Sequence, residues 1–211
     1  MFLAWKEIKH SKGKFALIMA VVALVSYLVY FLTSLAYGLA SSYTNGITKW
    51  NADNIVLTEA SNDNILMSTM SDVTNDDNDD YSLLTVEGEK AKLGIFMAVI
   101  KDETPAEGIE DTRADVYVFG IESAGFLNPI SGLDLADNEI IADISIQEFG
   151  YEKGDTIIVT GTDTNDLPLI KWTIVGFTAK STYQTAPILY MNLKTWQDYR
   201  YYGRGAIPAE V

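Results

Sequence analysis

From Phe15 to Thr48 the chain carries no charged side chain, while Lys6, Lys9, Lys12 and Lys14 precede this stretch and Lys49 ends it. Crossing about 30 Å of hydrocarbon takes about 20 helical residues, so these 34 residues predict a transmembrane helix that also extends beyond the bilayer. A secretory signal has the same basic start but an apolar region of only about 7–15 residues, and the small residues around Gly38 and Ala40 leave its cleavage as the alternative. Lysines before the span and acids after it put the N-terminus in the cytoplasm and everything after about Ser41 outside the cell membrane. Residues 1–14 predict a cytoplasmic interfacial amphipathic segment, with Phe2, Leu3, Trp5 and Ile8 toward lipid and the lysines toward headgroups.

The apolar stretch also has a face. Alternate steps of four and three residues give Ala16, Ala20, Ala23, Tyr27, Tyr30, Ser34, Tyr37, Ser41 and Thr44, all small or hydroxyl-bearing, whereas the flanking positions are mostly large and apolar, as at Leu17, Leu24, Phe31 and Leu35. Helices in lipid associate through small residues that let backbones approach and through hydroxyls that can hydrogen-bond. The seam therefore predicts a helix packed on protein along its length. Chance in a span rich in alanine and tyrosine is the alternative.

Residues 51–211 hold ten Lys or Arg against 28 Asp or Glu, a balance that excludes a nucleic-acid partner, whose phosphates need cations. The chain has no cysteine, so disulfides, thiolate metal sites and cysteine nucleophiles are excluded, and the exterior domain must be held by its core. Its one histidine, His10, falls on the cytoplasmic side, which rules out a histidine-based triad or metal site outside. No phosphate-cradling GxxxxGK[ST] run occurs. The acidic run 71–81 lacks the glycine and glutamate spacing of a calcium-binding loop and reads as a solvated loop. No catalytic and no metal-ligating residue is expected.

Beyond the span the pattern predicts a mixed α+β domain over 51–211. Residues 54–59, 92–101, 114–122, 138–143, 155–161, 171–177 and 186–192 are β-branched or aromatic runs bounded by turn formers. Two helices are expected, one from Asp143 to a stop at Gly150 and one capped by Asn192 with Leu193, Trp196 and Tyr199 on one side. Gly154-Asp155 predicts a tight turn launching a strand that pairs with the one closed by Gly176 and Phe177, and Pro187 predicts the start of an edge strand.

The order of these pieces resembles a known family. "LAWKEIKHSKGKFALIM" followed by "LVYFLTSLAYGLASS", then "DVYVFGIESAGFLNP", "NEIIADISIQEFGYEKGDTIIV" and "WTIVGFTAKSTYQTAPILYMNLKTWQDY", are similar to MacB/FtsX-like ABC transporter permeases, most closely the haem-export and DevC-type branch. The resemblance implies a MacB-like extracytoplasmic core domain, a permease homodimer in the lipid membrane, and a separate cytoplasmic ABC ATPase subunit that holds ATP and Mg. It implies export of haem or another amphiphile, with no cofactor bound by this chain and no ATPase activity of its own. Tyr27, Tyr30 and Tyr37 are then the candidates to line a substrate pocket, with membrane-interface and packing duty as the alternative. Family permeases have four spans, with the exterior domain between the first two, so this chain reads as the N-terminal part of one, its exterior domain truncated at the C-terminus. An FtsX-like transmitter that activates an extracytoplasmic partner without transport is the other function the resemblance allows.

Overall fold

The computed structural model describes residues 10–50, 52–57, 64–66, 88–104, 112–122, 125–160 and 170–202. The chain divides into two compact units, Met1–Ser42 and Tyr43–Val211. Residues 1–9 of the expected interfacial segment and the acidic run 71–81 lie outside the described residues.

Helix α1, Lys12–Thr48, is one unbroken helix of 37 residues. Thr33 Oγ1 donates to Val29 O at 2.8 Å and Ser41 Oγ to Gly38 O at 3.3 Å, so these hydroxyls are satisfied without leaving the helix. By length and composition α1 can cross a membrane; near the N-terminus a signal sequence has the same character.

The second unit is rich in sheet. Strands β1 (Leu93–Asp102), β2 (Ala114–Ile121), β3 (Glu139–Asp143), β4 (Thr156–Thr160), β5 (Lys171–Thr178), β6 (Thr182–Tyr183) and β7 (Ala186–Asn192) are followed directly by helix α2 (Leu193–Tyr202). The ladder runs β2-β1-β4-β5-β3-β7, and a parallel β2–β7 pairing joins its two ends into a closed six-stranded barrel, with β6 attached to the start of β7. The β3–β5 pairing is also parallel and the remaining ones are antiparallel.

Alternation along the strands decides what lies inside. Ile100, Val116, Val118, Ile140, Ala142, Ile157, Val159, Trp172, Ile174, Leu189 and Met191 come from all six barrel strands and form one buried cluster, the barrel interior. The intervening residues Ile95, Tyr117, Phe119, Ile121, Ile141, Ile188 and Tyr190 form a second cluster on the outside, covered by residues such as Trp50, Leu127 and Leu135. One register shift keeps the two sets apart: Ile140 faces Ile174 but Ile141 faces Gly176, leaving Val175 as a bulge. The bulge turns Val175 to the outer cluster and returns Phe177 to the inner one.

Most predicted strands stand where expected, with two corrections, at residues 54–57 and at Pro187, and the expected helical segment from Asp143 to Gly150 is present. Residues 54–57 are irregular, and Ile55 and Val56 are exposed. A barrel closed by β2–β7 offers no free edge for a strand there. The segment after Asp143 is a 3-10 helix, Ile144–Phe149, because a cap at Asp143 and a left-handed Gly150 (φ 91°) leave only six residues, and Gly150 N donates to Gln147 O three residues back. Pro187 is in no edge strand, since β7 pairs with β2, β3 and β6. Its missing N–H is tolerated because the β2 and β3 ladders begin only at Ile188 and Leu189.

Candidate functional site at the end of the first helix

The end of α1 from Tyr43 and the two residues after it belong to the barrel unit, and here the sequence supplies Gly46, Ile47, Lys49 and Trp50. Gly46 is the buried residue of α1: a Cβ at this position would fall 2.1 Å from Ile188 Cδ1 and 3.1 Å from the Thr182 carbonyl. A side chain here would require the Ile188 side chain to move and would crowd the Thr182 carbonyl. Trp50 is buried against Phe119, with ring centroids 5.5 Å apart, and Ile47 packs on the same outer cluster.

Lys49 completes the attachment. Its ammonium donates to Thr178 Oγ1 at the end of β5, and to Ala179 O at 2.9 Å and Ser181 Oγ at 3.3 Å in the link that follows. Burial holds its pKa below the ordinary lysine value, and the nearby Asp143 carboxylate partly opposes that shift. Asp143 is itself buried: Oδ1 accepts from Ser145 N at 2.9 Å, capping the 3-10 helix, and Oδ2 accepts from Ser181 N at 2.6 Å. Ser181 thus receives Lys49 on its hydroxyl and offers its amide to Asp143.

Next to this stands Tyr190, fully buried, with its phenol pushed up to about 12, first by burial and further by Asp143. The Ser181 hydroxyl and the Trp50 indole lie beside the Tyr190 oxygen, yet neither Tyr190 OH nor Trp50 Nε1 meets hydrogen-bond geometry among the described residues.

The link then turns back as the β6–β7 hairpin. Its two-residue loop, Gln184-Thr185, has φ of 47° and 71°, and Lys180 just before β6 has φ 54°. Two positive φ angles mark a type I′ turn, which favours Asn-Gly and penalises a β-branched residue. The loop is tied down: Gln184 N donates to Tyr43 O at 3.1 Å, and Tyr117 OH donates to Gln184 Oε1 at 2.7 Å.

The site residues expected from sequence lie on α1, and only Thr44 of them falls within residues 43–50. Tyr27, Tyr30 and Tyr37 are 67%, 75% and 77% exposed, with Phe31 stacked near Tyr27 at 6.1 Å. Ala16, Ala20, Ala23, Ser34 and Thr44 are exposed as well, and Ser41 is half-buried. In a straight α-helix the seam drifts by about 20° per seven residues, so it stays on one face only in a left-handed supercoil. Residues 43–50 were missed as a functional element. Their signal in the sequence was Lys49-Trp50, a charge and a large aromatic directly after the uncharged stretch 15–48.

Compared with known proteins, the chain matches no family model and no curated protein.

Proposed function

We propose that this chain is the membrane subunit, or its N-terminal part, of an ABC-type export system, in which α1 spans the bilayer and the barrel is the extracytoplasmic core domain. The observation that carries this reading is the clamp at residues 43–50. A helix long and apolar enough to cross a membrane has its last residues in the barrel unit, where Gly46, Lys49 and Trp50 make contacts. A helix end packed into the domain, and not joined to it through a linker, is what the transmission of movement would use. The segments that carry the family resemblance support it too: "EIIAD" is β3, "IVGF" lies in β5, and the "P..Y..L..W" run spans β7 and α2, so their strands are neighbours in the order β5-β3-β7.

In this reading a cytoplasmic ATPase binds ATP and Mg, α1 transmits the resulting movement, and two copies of the permease meet along the seam from Ala16 to Thr44. Haem or another flat amphiphile is the substrate class, taken up beside Tyr27, Tyr30 and Tyr37. The test is disulfide crosslinking in membranes containing the full-length gene product and its ATPase, with single cysteines at Tyr30, Ser34 or Tyr37 and controls at Leu28 and Leu32. Crosslinks confined to the seam and changed by Mg-ATP are expected. Equal crosslinking at all five positions, or none, would remove the moving subunit contact from the proposal.

A further inference from the structure

We infer that the β6–β7 hairpin is a conformational clip held in a strained shape by the end of α1. The hairpin has little support of its own. It has two cross-strand pairs, Thr182 with Pro187 and Tyr183 with Ala186, one of whose four residues lacks an N–H, and a bond from Ile188 N to Ser181 O at 2.9 Å closes its base. Its loop places Gln184 and Thr185 at positive φ, where neither residue type is favoured, and Lys180 adds a third such angle within six residues. Backbone strain of this kind persists only where the surroundings impose it.

The imposing contacts come from residues 43–49 and from the barrel, where Tyr183 also packs against Tyr117 and Phe119 at 5.1 and 6.5 Å between ring centroids. Tyr43 O accepts the Gln184 amide, Gly46 lies against Ile188 and the Thr182 carbonyl, and Lys49 gathers Thr178, Ala179 and Ser181 at the hairpin's entry. On the barrel side Tyr117 holds the Gln184 side chain and Asp143 holds the Ser181 amide. The barrel contacts fix where the hairpin is rooted, and the helix contacts fix its twist. When the end of α1 withdraws, the segment 178–188 relaxes to unstrained angles and its exposed tip, Gln184-Thr185, changes shape. The hairpin thereby converts the position of the helix end into a change of the domain surface.

The experiment is hydrogen–deuterium exchange on the full chain in lipid nanodiscs, with the Ile157 and Ile174 amides of the barrel as internal references. Lys49→Gln and Gly46→Ala are each expected to speed exchange across 178–188 at least tenfold while the references stay unchanged. The double substitution Gln184→Asn with Thr185→Gly, which suits a type I′ turn, is expected to restore at least tenfold protection in the Lys49→Gln background. Unchanged exchange in Lys49→Gln, or no restoration by the turn-compatible pair, would overturn the inference. Should Gly46→Ala also expose Ile157 and Ile174, Lys49→Gln decides alone, since Lys49 lies at the surface. The readout needs neither nucleotide nor an ATPase, so it stands or falls apart from the export reading.

Discussion

Gly94 and Gly120 stand directly opposite each other across the β1–β2 ladder, and the Trp196 side chain lies on both. A Cβ on Gly94 would meet the indole ring at 2.4 Å, and one on Gly120 would meet Trp196 Cβ and Cγ at 2.4 Å. The pair forms a notch through which α2 lowers Trp196 onto the barrel, beside Leu193 and Tyr199 on the same face. There Phe96 stacks on Tyr199 at 4.4 Å, and Trp172 meets Tyr199 edge to face at 5.5 Å. Gly94→Ala or Gly120→Ala is expected to destabilise the domain by about 1–3 kcal/mol through overpacking, and Trp196→Ala by about 3–5 kcal/mol. Combined with Trp196→Ala, either glycine substitution should cost much less than alone. Urea unfolding followed by the fluorescence of Trp50 and Trp172 measures the coupling, and strict additivity would refute the notch.

The strands were legible because each carries its own period: Val116 and Val118 alternate with Tyr117 and Phe119, and turn formers bound every run. Asn192 was legible as a cap because capping is local. The barrel was not, since closure depends on the parallel β2–β7 pairing between segments far apart in sequence, and both faces of β2 are buried, which hides the usual one-sided pattern. The β6–β7 hairpin was hidden for a different reason. Its turn residues, Gln184 and Thr185, contradict the turn they form, so only tertiary contacts could have announced it. The seam on α1 could be read from spacing, whereas the attachment at Gly46, Lys49 and Trp50 depends on partners between about 70 and 140 residues away, and local pattern carries no trace of them.

Burial raises the pKa of Tyr190 to about 12, and the phenols of Tyr117 and Tyr199 are also raised, chiefly by burial. A phenol whose folded pKa exceeds its unfolded value of about 10 contributes stability that is complete below pH 10 and lost as pH rises through the folded value. The domain should therefore lose stability between about pH 10 and 12, with Tyr190 alone responsible for about 3 kcal/mol at most. Tyr190→Phe is expected to flatten this loss. At pH 8 it should be at least as stable as the parent, because the Tyr190 hydroxyl has no hydrogen-bond partner among the described residues. Thermal unfolding of the two proteins across pH 8–12 checks both expectations.

Asn192 begins α2 and also ties it to the loop before β3. Its Oδ1 accepts from Thr195 N at 2.6 Å, while Nδ2 donates to Leu135 O and Asp137 Oδ1, both at 3.1 Å. Asn192→Ala should cost about 1–2 kcal/mol, as loss of an N-cap does. Asn192→Ser keeps an acceptor for the cap and drops the amide donors, so its stability should fall between the two in urea unfolding.

Asp143 joins the end of β3, the 3-10 helix and the hairpin entry through one carboxylate, with Ser145 N on Oδ1 and the fully buried Ser181 amide on Oδ2. Asp143→Ala removes a cap, worth about 1 kcal/mol, and strands the Ser181 N–H, at a cost of about 1–3 kcal/mol. Asp143→Asn retains one oxygen acceptor, and its amide group cannot accept from the second N–H, so it should lose one of the two contributions. The two losses separate by position: an amide facing Ser145 N frees the 3-10 helix, and one facing Ser181 N frees the hairpin. Hydrogen exchange at Ser145 and Ser181 in both variants reads this directly. Asp143→Ala should expose both amides and Asp143→Asn one of them. If Ser181 keeps its protection in Asp143→Ala, the carboxylate does not anchor the hairpin entry.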